Sequence, residues 1–320
     1  MSGTGTEDAP GGTGEGFRHE FYPYAGEDGF LAGALSFIGD ARAGHERVLV
    51  AVAEPRERML RAELEGTGAE PDVIYLDTAA LGRNPARLIP AWQAWIAGQA
   101  AGGRAVRGIS EPSWADRSAA EAGELLYHEW LLNLAFAPSP PWWLLCAYDA
   151  AALEPPVLES AARCHPLVLN AGAHGPSDSY TARPHALAEL GPPRRPYRQL
   201  DFATGELARV RANVAACADE HGPTGPRLRE LLVAATEVAS NCIKYGGGRG
   251  RLRTWTDASG LVCEFHDSGH IQDPLVGRVR PTLDQAGGRG MWLVQQLCDL
   301  VQIRSTAEAG TTIRLHIRLA

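Results

Sequence analysis

The sequence predicts two α/β domains in series: an N-terminal domain built on a parallel sheet and a C-terminal α/β sandwich. Three observations carry this. Apolar strand-like runs alternate with helical stretches from residue 28 to residue 164, the pattern of a parallel sheet covered on both faces. Beyond residue 206 the order becomes helix, helix, two strands, loop, helix, two strands, which suits a mixed sheet with helices on one face. Between these regions, residues 170–198 hold Gly, Pro, Ser and His without periodicity and read as an interdomain linker.

In the first half, Asp28–Ala43 is predicted helical, with Phe30, Leu31, Leu35 and Ile38 on one face. Arg47–Ala53 and Asp72–Leu76 are predicted strands. A helix around Trp92, Trp95 and Ile96 leads to a strand at Arg104–Ser110, and a long helix is expected over Ser118–Asn133. Trp143–Tyr148 supplies a fourth strand and Glu154–Cys164 a helix. Parallel sheets of this kind bind ligands at the carboxyl ends of their strands, which draws attention to Glu111 and Trp114. Trp142 and Trp143 read as core residues at a strand entry.

In the second half, Glu206–His221 is a predicted helix, and Pro223 and Pro226 separate it from Arg227–Tyr245. The latter carries an apolar stripe of Leu228, Leu231, Leu232, Ala235, Val238, Ala239 and Cys242. Arg251–Thr256 and Leu261–His266 form a hairpin through Asp-Ala-Ser-Gly. A helix over Met291–Leu300 and a closing hairpin of Val301–Ser305 with Thr311–Leu319 complete the domain.

Composition narrows the function classes. The chain has 320 residues, 45% hydrophobic, with a net charge of −8. No apolar run reaches the ~18 residues that a membrane span needs, and residues 1–16 are acidic and Gly/Thr-rich, a predicted disordered tail rather than a signal peptide. A cytoplasmic protein with no membrane role is expected. The charge is uneven: residues 1–196 carry 15 Arg and no Lys against 25 acidic residues, whereas residues 197–320 carry 14 Arg and one Lys against 13. The total argues against direct nucleic-acid binding, and the balance places an anionic ligand in the C-terminal half. The six cysteines are scattered without a C-x-x-C pair and read as buried free thiols.

Three motifs in the C-terminal half answer one another. Glu237-Val-Ala-Ser-Asn241 puts a carboxylate and a carboxamide on one helix edge, with Tyr245 one turn on and Lys244 beside it. Asp267-Ser-Gly269 follows a predicted strand, where a carboxylate can read a base by hydrogen bonding. Gly287-Gly-Arg-Gly290 opens a predicted helix, where backbone N–H groups can cradle phosphates. Mid-helix, strand end and helix start are the placements of a purine-nucleotide pocket.

This set resembles the GHKL superfamily of ATP-binding domains, and within it the anti-sigma-factor serine kinases. The resemblance covers about residues 199–320. Glu237–Asn241 matches the N-box, Asp267–Gly269 the first glycine box, Gly288-Arg-Gly290-Met291 the second, and Gly310-Thr311-Thr312 the closing strand. It implies ATP and Mg²⁺ as cofactors, with Asn241 a Mg²⁺ ligand and Glu237 the catalytic base. Asp267 would accept from the adenine amino group, Thr311 would support adenine, and the segment Gly288, Arg289, Gly290 and Met291 would hold phosphate, with Gly269 in the base-reading turn. Three departures stand out: Tyr245 where the family has a polar His, Ile271 where it has a second glycine, and a short lid at His270–Ala286. Arg278, Arg280 and Arg289 are candidates to compensate at the phosphates, or else exposed loop arginines.

Residues 17–169 resemble the MEDS sensory domain, a relative of RecA-like folds. The matching segments are His19 to Tyr22, Phe30-Leu-Ala-Gly33, Gly108-Ile-Ser-Glu-Pro112, His128-Glu129 to Asn133, Cys146-Ala-Tyr-Asp149 and His165-Pro166. No G-x-x-x-x-G-K-[ST] loop occurs, so phosphate binding is not expected there. His19, His128, His165 and Cys146 lack ligand-like spacing and read first as core or surface residues, with a metal or small-ligand site as the alternative.

Taken together, the chain resembles RsbA-type anti-sigma regulatory proteins. That implies a signalling regulator with a sigma factor and a STAS-type anti-sigma-factor antagonist as partners, and with a homodimer among the assemblies allowed. The implied activity is serine/threonine phosphorylation of the antagonist. The alternative is a catalytically inactive nucleotide-binding module that regulates by sequestration alone.

Overall fold

The computed structural model describes the chain except residues 1–15, 68–71, 82–83, 101, 115–116, 258–259, 283, 286 and 319–320. Nearly all of the predicted tail lies outside the described residues, as does the centre of the Asp-Ala-Ser-Gly turn. The chain divides into two compact units: residues 1–78, 94–115 and 132–185 form one, and residues 79–93, 116–131 and 186–320 the other.

The first unit is organised by a seven-stranded sheet in the order β3-β2-β4-β5-β1-β6-β7. Its strands are β1 (Phe17–Tyr24), β2 (Arg47–Ala51), β3 (Val73–Tyr75), β4 (Val106–Ser110), β5 (Trp142–Asp149), β6 (Leu167–Asn170) and β7 (Ala173–Pro176). All pair in parallel except β7, which runs antiparallel to β6. In chain order the strands are separated by helices α1 (Gly26–Ala43), α2 (Glu54–Leu64), α3 (Thr78–Leu81), α4 (Leu88–Ala100), α5 (Ala119–Phe136) and α6 (Pro155–Cys164), of which the parts within residues 79–93 and 116–131 belong to the second unit. The apolar face read from the sequence is used: Phe30, Phe37 and Ile38 of α1 are buried against Val48, Val50, Ile109 and Leu145 of the sheet.

Two elements depart from expectation. β1 lies between β5 and β6, a central strand that the pattern of Phe17–Tyr24 does not announce because His19 and Glu20 are polar yet fully buried. Tertiary partners satisfy Glu20: Trp143 Nε1 donates to its Oε2 at 2.9 Å, and His174 Nδ1 meets its Oε1 at 2.9 Å. β7 falls inside the stretch read as linker, and its residues join the sheet through β6.

The second unit carries a five-stranded sheet in the order β11-β12-β10-β9-β8. Its elements are β8 (Arg198–Ala203), α7 (Leu207–His221), α8 (Gly225–Tyr245), β9 (Arg249–Asp257), β10 (Gly260–Asp267), α9 (Arg289–Leu297), β11 (Leu300–Thr306) and β12 (Gly310–Ile317). Every described pairing is antiparallel, so the sheet is not mixed as expected. The reason is connectivity: hairpins join β9 to β10 and β11 to β12, and no strand returns by a parallel crossover. Buried Leu231, Ala235, Val238 and Cys242 of α8 share a core with Val210 and Val214 of α7 and Leu252, Phe265, Ile313 and Leu315 of the sheet.

Two earlier chain segments also belong to this unit. Asn84, 2% exposed, donates from Nδ2 to the backbone and side-chain oxygens of Gln295, each at 2.9 Å. Glu124 is equally buried and accepts from Arg304 Nη1 at 2.8 Å. All six cysteines are buried free thiols. No helix among the described residues is long and apolar enough to cross a membrane.

His316 supplies a pH probe of the second unit. Its Nε2 donates to Gln302 Oε1 at 3.0 Å, and burial pushes the imidazole down to about 4. A depressed folded-state value means the unfolded chain takes the proton first, so the stability present above pH ~6.5 is lost as pH falls toward 4. We expect urea unfolding of the wild type to lose up to roughly 3 kcal/mol more than His316→Gln between pH 7 and pH 4. Parallel pH profiles for the two proteins would reject this assignment.

Candidate functional site

Packing on one side of α8 decides what its other edge can do. With Ala234, Val238 and Cys242 sealed against the sheet, Glu237 and Asn241 emerge along the margin at helical spacing, half-buried, and Tyr245 lies one turn further, 63% exposed. The helix then stops: Gly246 N–H donates back to Cys242 O at 2.8 Å. Lys244 lies over the Tyr245 ring at 4.8 Å.

β10 ends beside this edge. The Asp267 carboxylate takes the Gly269 N–H on Oδ1 at 2.7 Å, which closes the Asp-Ser-Gly turn. The Cys242 thiol is also a hydrogen-bond partner of Asp267, and burial, aided by that carboxylate, pushes the thiol well above its ordinary value. The thiol is therefore a neutral donor that orients an anion. A carboxylate has about four acceptor positions, so Asp267 retains capacity for a further donor. Ser268 Oγ donates to Gly246 O at 2.9 Å and fastens the turn to the end of α8.

Thr311 at the start of β12 pairs with Asp267 across the sheet. Its hydroxyl donates to Gly269 O at 2.9 Å and lies 2.7 Å from Ser305 Oγ. Ser305 in turn accepts from the Ile271 N–H at 2.8 Å. Thr311 thus holds the Asp-Ser-Gly turn, and Ile271, where a glycine was expected, is secured through its backbone.

The third segment opens α9. Gly288 is its N-cap at φ +89°, a left-handed conformation that a side chain resists. No side chain caps the helix, so the first-turn N–H groups stay available to an anion, with the helix dipole adding its field. Gly290 matters for its missing side chain: a Cβ there would stand 2.5 Å from Glu237 Oε2. The α9 backbone therefore comes within reach of the α8 carboxylate only because residue 290 is glycine.

One cleft of about 300 Å³ is lined by Asn241, Asp267, Gly269, Gly288, Gly290, Met291 and Thr311, together with Tyr245, His270, Ile271, Val276 and Ile313. That volume lies at the lower end of the roughly 300–1,000 Å³ typical of small-molecule sites. Glu237 stands at its margin through the Gly290 approach. Arg289 is exposed and reaches Thr282 O at 3.4 Å rather than lining the cleft.

The lid arginines differ from expectation. Arg278 is 3% exposed and pairs with Glu124 Oε2 at 3.4 Å, so it does not offer its charge to a phosphate, and burial lowers its affinity for a proton. Periodicity within the lid could not reveal this, because its partner lies 154 residues earlier. Arg280 is exposed, with its guanidinium 5.9 Å from the Trp292 ring centre.

In the first unit, Glu111 is tied into a charged cluster at the strand carboxyl ends. It accepts from the Tyr24 hydroxyl, and Arg56 lies 3.6 Å from it and 3.3 Å from Asp149. Burial raises the Glu111 carboxyl above its ordinary value. Trp114 packs near the Tyr148 ring, 6.1 Å between centres. His19, Cys146 and His165 do come together, while His128 is not among the grouped metal-type donors of the described residues.

Comparison with known proteins finds similarity in each half. Residues 18–166 match the MEDS family, the methanogen/methylotroph DcmR sensory domain. Residues 201–317 match the histidine kinase-like ATPase domain family. No curated protein matches the chain. A sensory domain joined to a kinase-like ATPase domain is the make-up of a signalling regulator with a nucleotide-binding half.

Removing the Asp267 charge while keeping its shape tests whether this turn holds a base. Asp267→Asn should weaken adenine-nucleotide binding by roughly 10–100-fold, the worth of a charged hydrogen-bond acceptor. Isothermal titration on the full chain reads this out, and unchanged affinity would remove Asp267 from the site.

Proposed function

We propose that the C-terminal unit binds ATP with Mg²⁺ and acts as an anti-sigma factor that phosphorylates a serine or threonine of its STAS-type antagonist. The N-terminal sensory half would set this activity. The observation that carries the reading is the convergence of Asn241, Asp267 and the Gly288–Met291 turn on one cleft. The match to the kinase-like ATPase family supports the nucleotide part.

The donor set fits the cofactors. Asn241 offers a hard, neutral amide oxygen of the kind Mg²⁺ accepts. The uncapped N–H groups of α9 suit phosphate oxygens, and the close approach that Gly290 permits leaves their cradle clear of a side chain. ATP, when bound, supplies the phosphoryl group to be transferred.

The chain's own residues then divide the work. Asp267 fixes the base through its remaining acceptor positions, and Thr311 and Ser305 keep the turn that carries it in place. Glu237 takes the proton from an incoming hydroxyl on its carboxylate, beside the α9 N-terminus. Positioning and charge neutralisation are the main protein contributions to phosphoryl transfer, and these elements supply both.

A sequestering module without catalysis is the second reading. Burial of Arg278 against Glu124 favours it, because that lid cation is then withheld from the phosphates. The two readings separate on Glu237. Under the kinase reading, Glu237→Gln keeps ATP affinity within about twofold while transfer from labelled ATP to a STAS-type substrate falls by roughly 100-fold or more. No transfer by the wild type, with ATP binding intact, would leave sequestration as the function.

A further inference from the structure

Three side chains far apart in the sequence meet inside the first unit. β1 and β5 are parallel neighbours in which His19 pairs with Leu144. Cys146, two residues beyond Leu144, therefore faces the same side of the sheet as His19. His165 follows directly on α6. All three side chains are fully buried. Cys146 Sγ lies 3.4 Å from His19 Nε2, and the two imidazole centres are 3.9 Å apart. The donor atoms of these three residues all lie within 4.8 Å of one another.

The surroundings orient both rings. His19 Nδ1 faces Asn133 Oδ1 at 3.1 Å, and Asn133 is itself anchored, its Nδ2 donating to Cys164 O at 2.8 Å. His165 Nδ1 faces Ala161 O at 2.7 Å. Both partners are oxygen acceptors, so each Nδ1 carries the proton and each Nε2 the lone pair. This outer arrangement, a ring N–H held by an amide or carbonyl oxygen, is the one that metal-binding histidines use.

We propose that His19, Cys146 and His165 bind a transition-metal ion, with Zn²⁺ the simplest occupant. Two neutral imidazoles and a thiolate match borderline-soft ions and not Mg²⁺ or Ca²⁺, which prefer oxygen. Bonds of ~2.0 Å to nitrogen and ~2.3 Å to sulfur at a tetrahedral angle put such donors about 3.5 Å apart, against the 3.4 Å found between Nε2 and Sγ. Binding transfers the Cys146 proton to solvent and leaves the thiolate on the ion, so uptake weakens in acid. The site gives the sensory half a metal-centred input and is independent of the nucleotide reading of the other unit.

The test uses the full chain, purified from zinc-supplemented culture without chelators. Elemental analysis should find about one zinc per chain, and replacement by Co²⁺ should give a thiolate-to-cobalt charge-transfer band. Cys146→Ser should lose both, and Cys217→Ser, at a buried thiol of the other unit, should keep both. Asn133→Ala leaves all three donors in place and should lower zinc affinity by roughly 10–100-fold, so the proposal stays testable if Cys146→Ser misfolds. A wild type that takes up neither zinc nor cobalt, equal metal content in Cys146→Ser, or unchanged affinity in Asn133→Ala would overturn it.

Discussion

Burial of one face of α8 is the constraint on which the C-terminal unit depends. Leu231, Ala235, Val238 and Cys242 are sealed between α7 and the antiparallel sheet, and this apolar contact fixes both the height and the rotation of the helix. Glu237 and Asn241 have no freedom to choose their direction once that face is committed. The contact also carries a polar element: Cys242, at the end of the apolar stripe, meets the Asp267 carboxylate with a thiol that burial keeps protonated. A rotation of α8 would at once expose core residues, withdraw that thiol and move Glu237 from the α9 backbone.

Backbone economy around the cleft follows from the same constraint. Asp267, Ser268, Thr311 and Ser305 spend their hydrogen bonds on the turn, the helix end and one another. That leaves a short polar wall whose shape is set before any ligand arrives, the condition under which hydrogen-bond donors and acceptors discriminate well. α9 contributes differently. It has no side-chain cap, and its first turn is open because glycines occupy both its N-cap and the position facing Glu237.

Charge burial forms a second layer in this unit. Glu124, almost inaccessible, serves both Arg278 of the lid and Arg304 of β11. Removing one partner of such a buried set would leave an uncompensated charge, which is costly. The lid is thereby held by electrostatics as well as by Val276 at the cleft wall. Glu124 lies in segment 116–131, which, like segment 79–93, sequence reading assigned to the N-terminal domain and which belongs to the second compact unit.

The elements with clear periodicity were legible in the chain itself. α1, α5 and α8 carry apolar residues at helical spacing, β2 and β5 are short apolar runs, and the Glu237, Asp267 and Gly288 motifs sit at element positions that local chemistry favours. β1, β7 and the antiparallel character of the second sheet were not legible, because strand pairing is a choice among distant partners. Local pattern fixes which face of a segment must be hidden; only the tertiary structure decides which groups meet behind it. That is why the places of Asn241, Asp267 and Gly290 on their helices and strand could be read from sequence, whereas the burial of Arg278 and the meeting of His19, Cys146 and His165 emerged only when strands and helices far apart in the chain packed against one another.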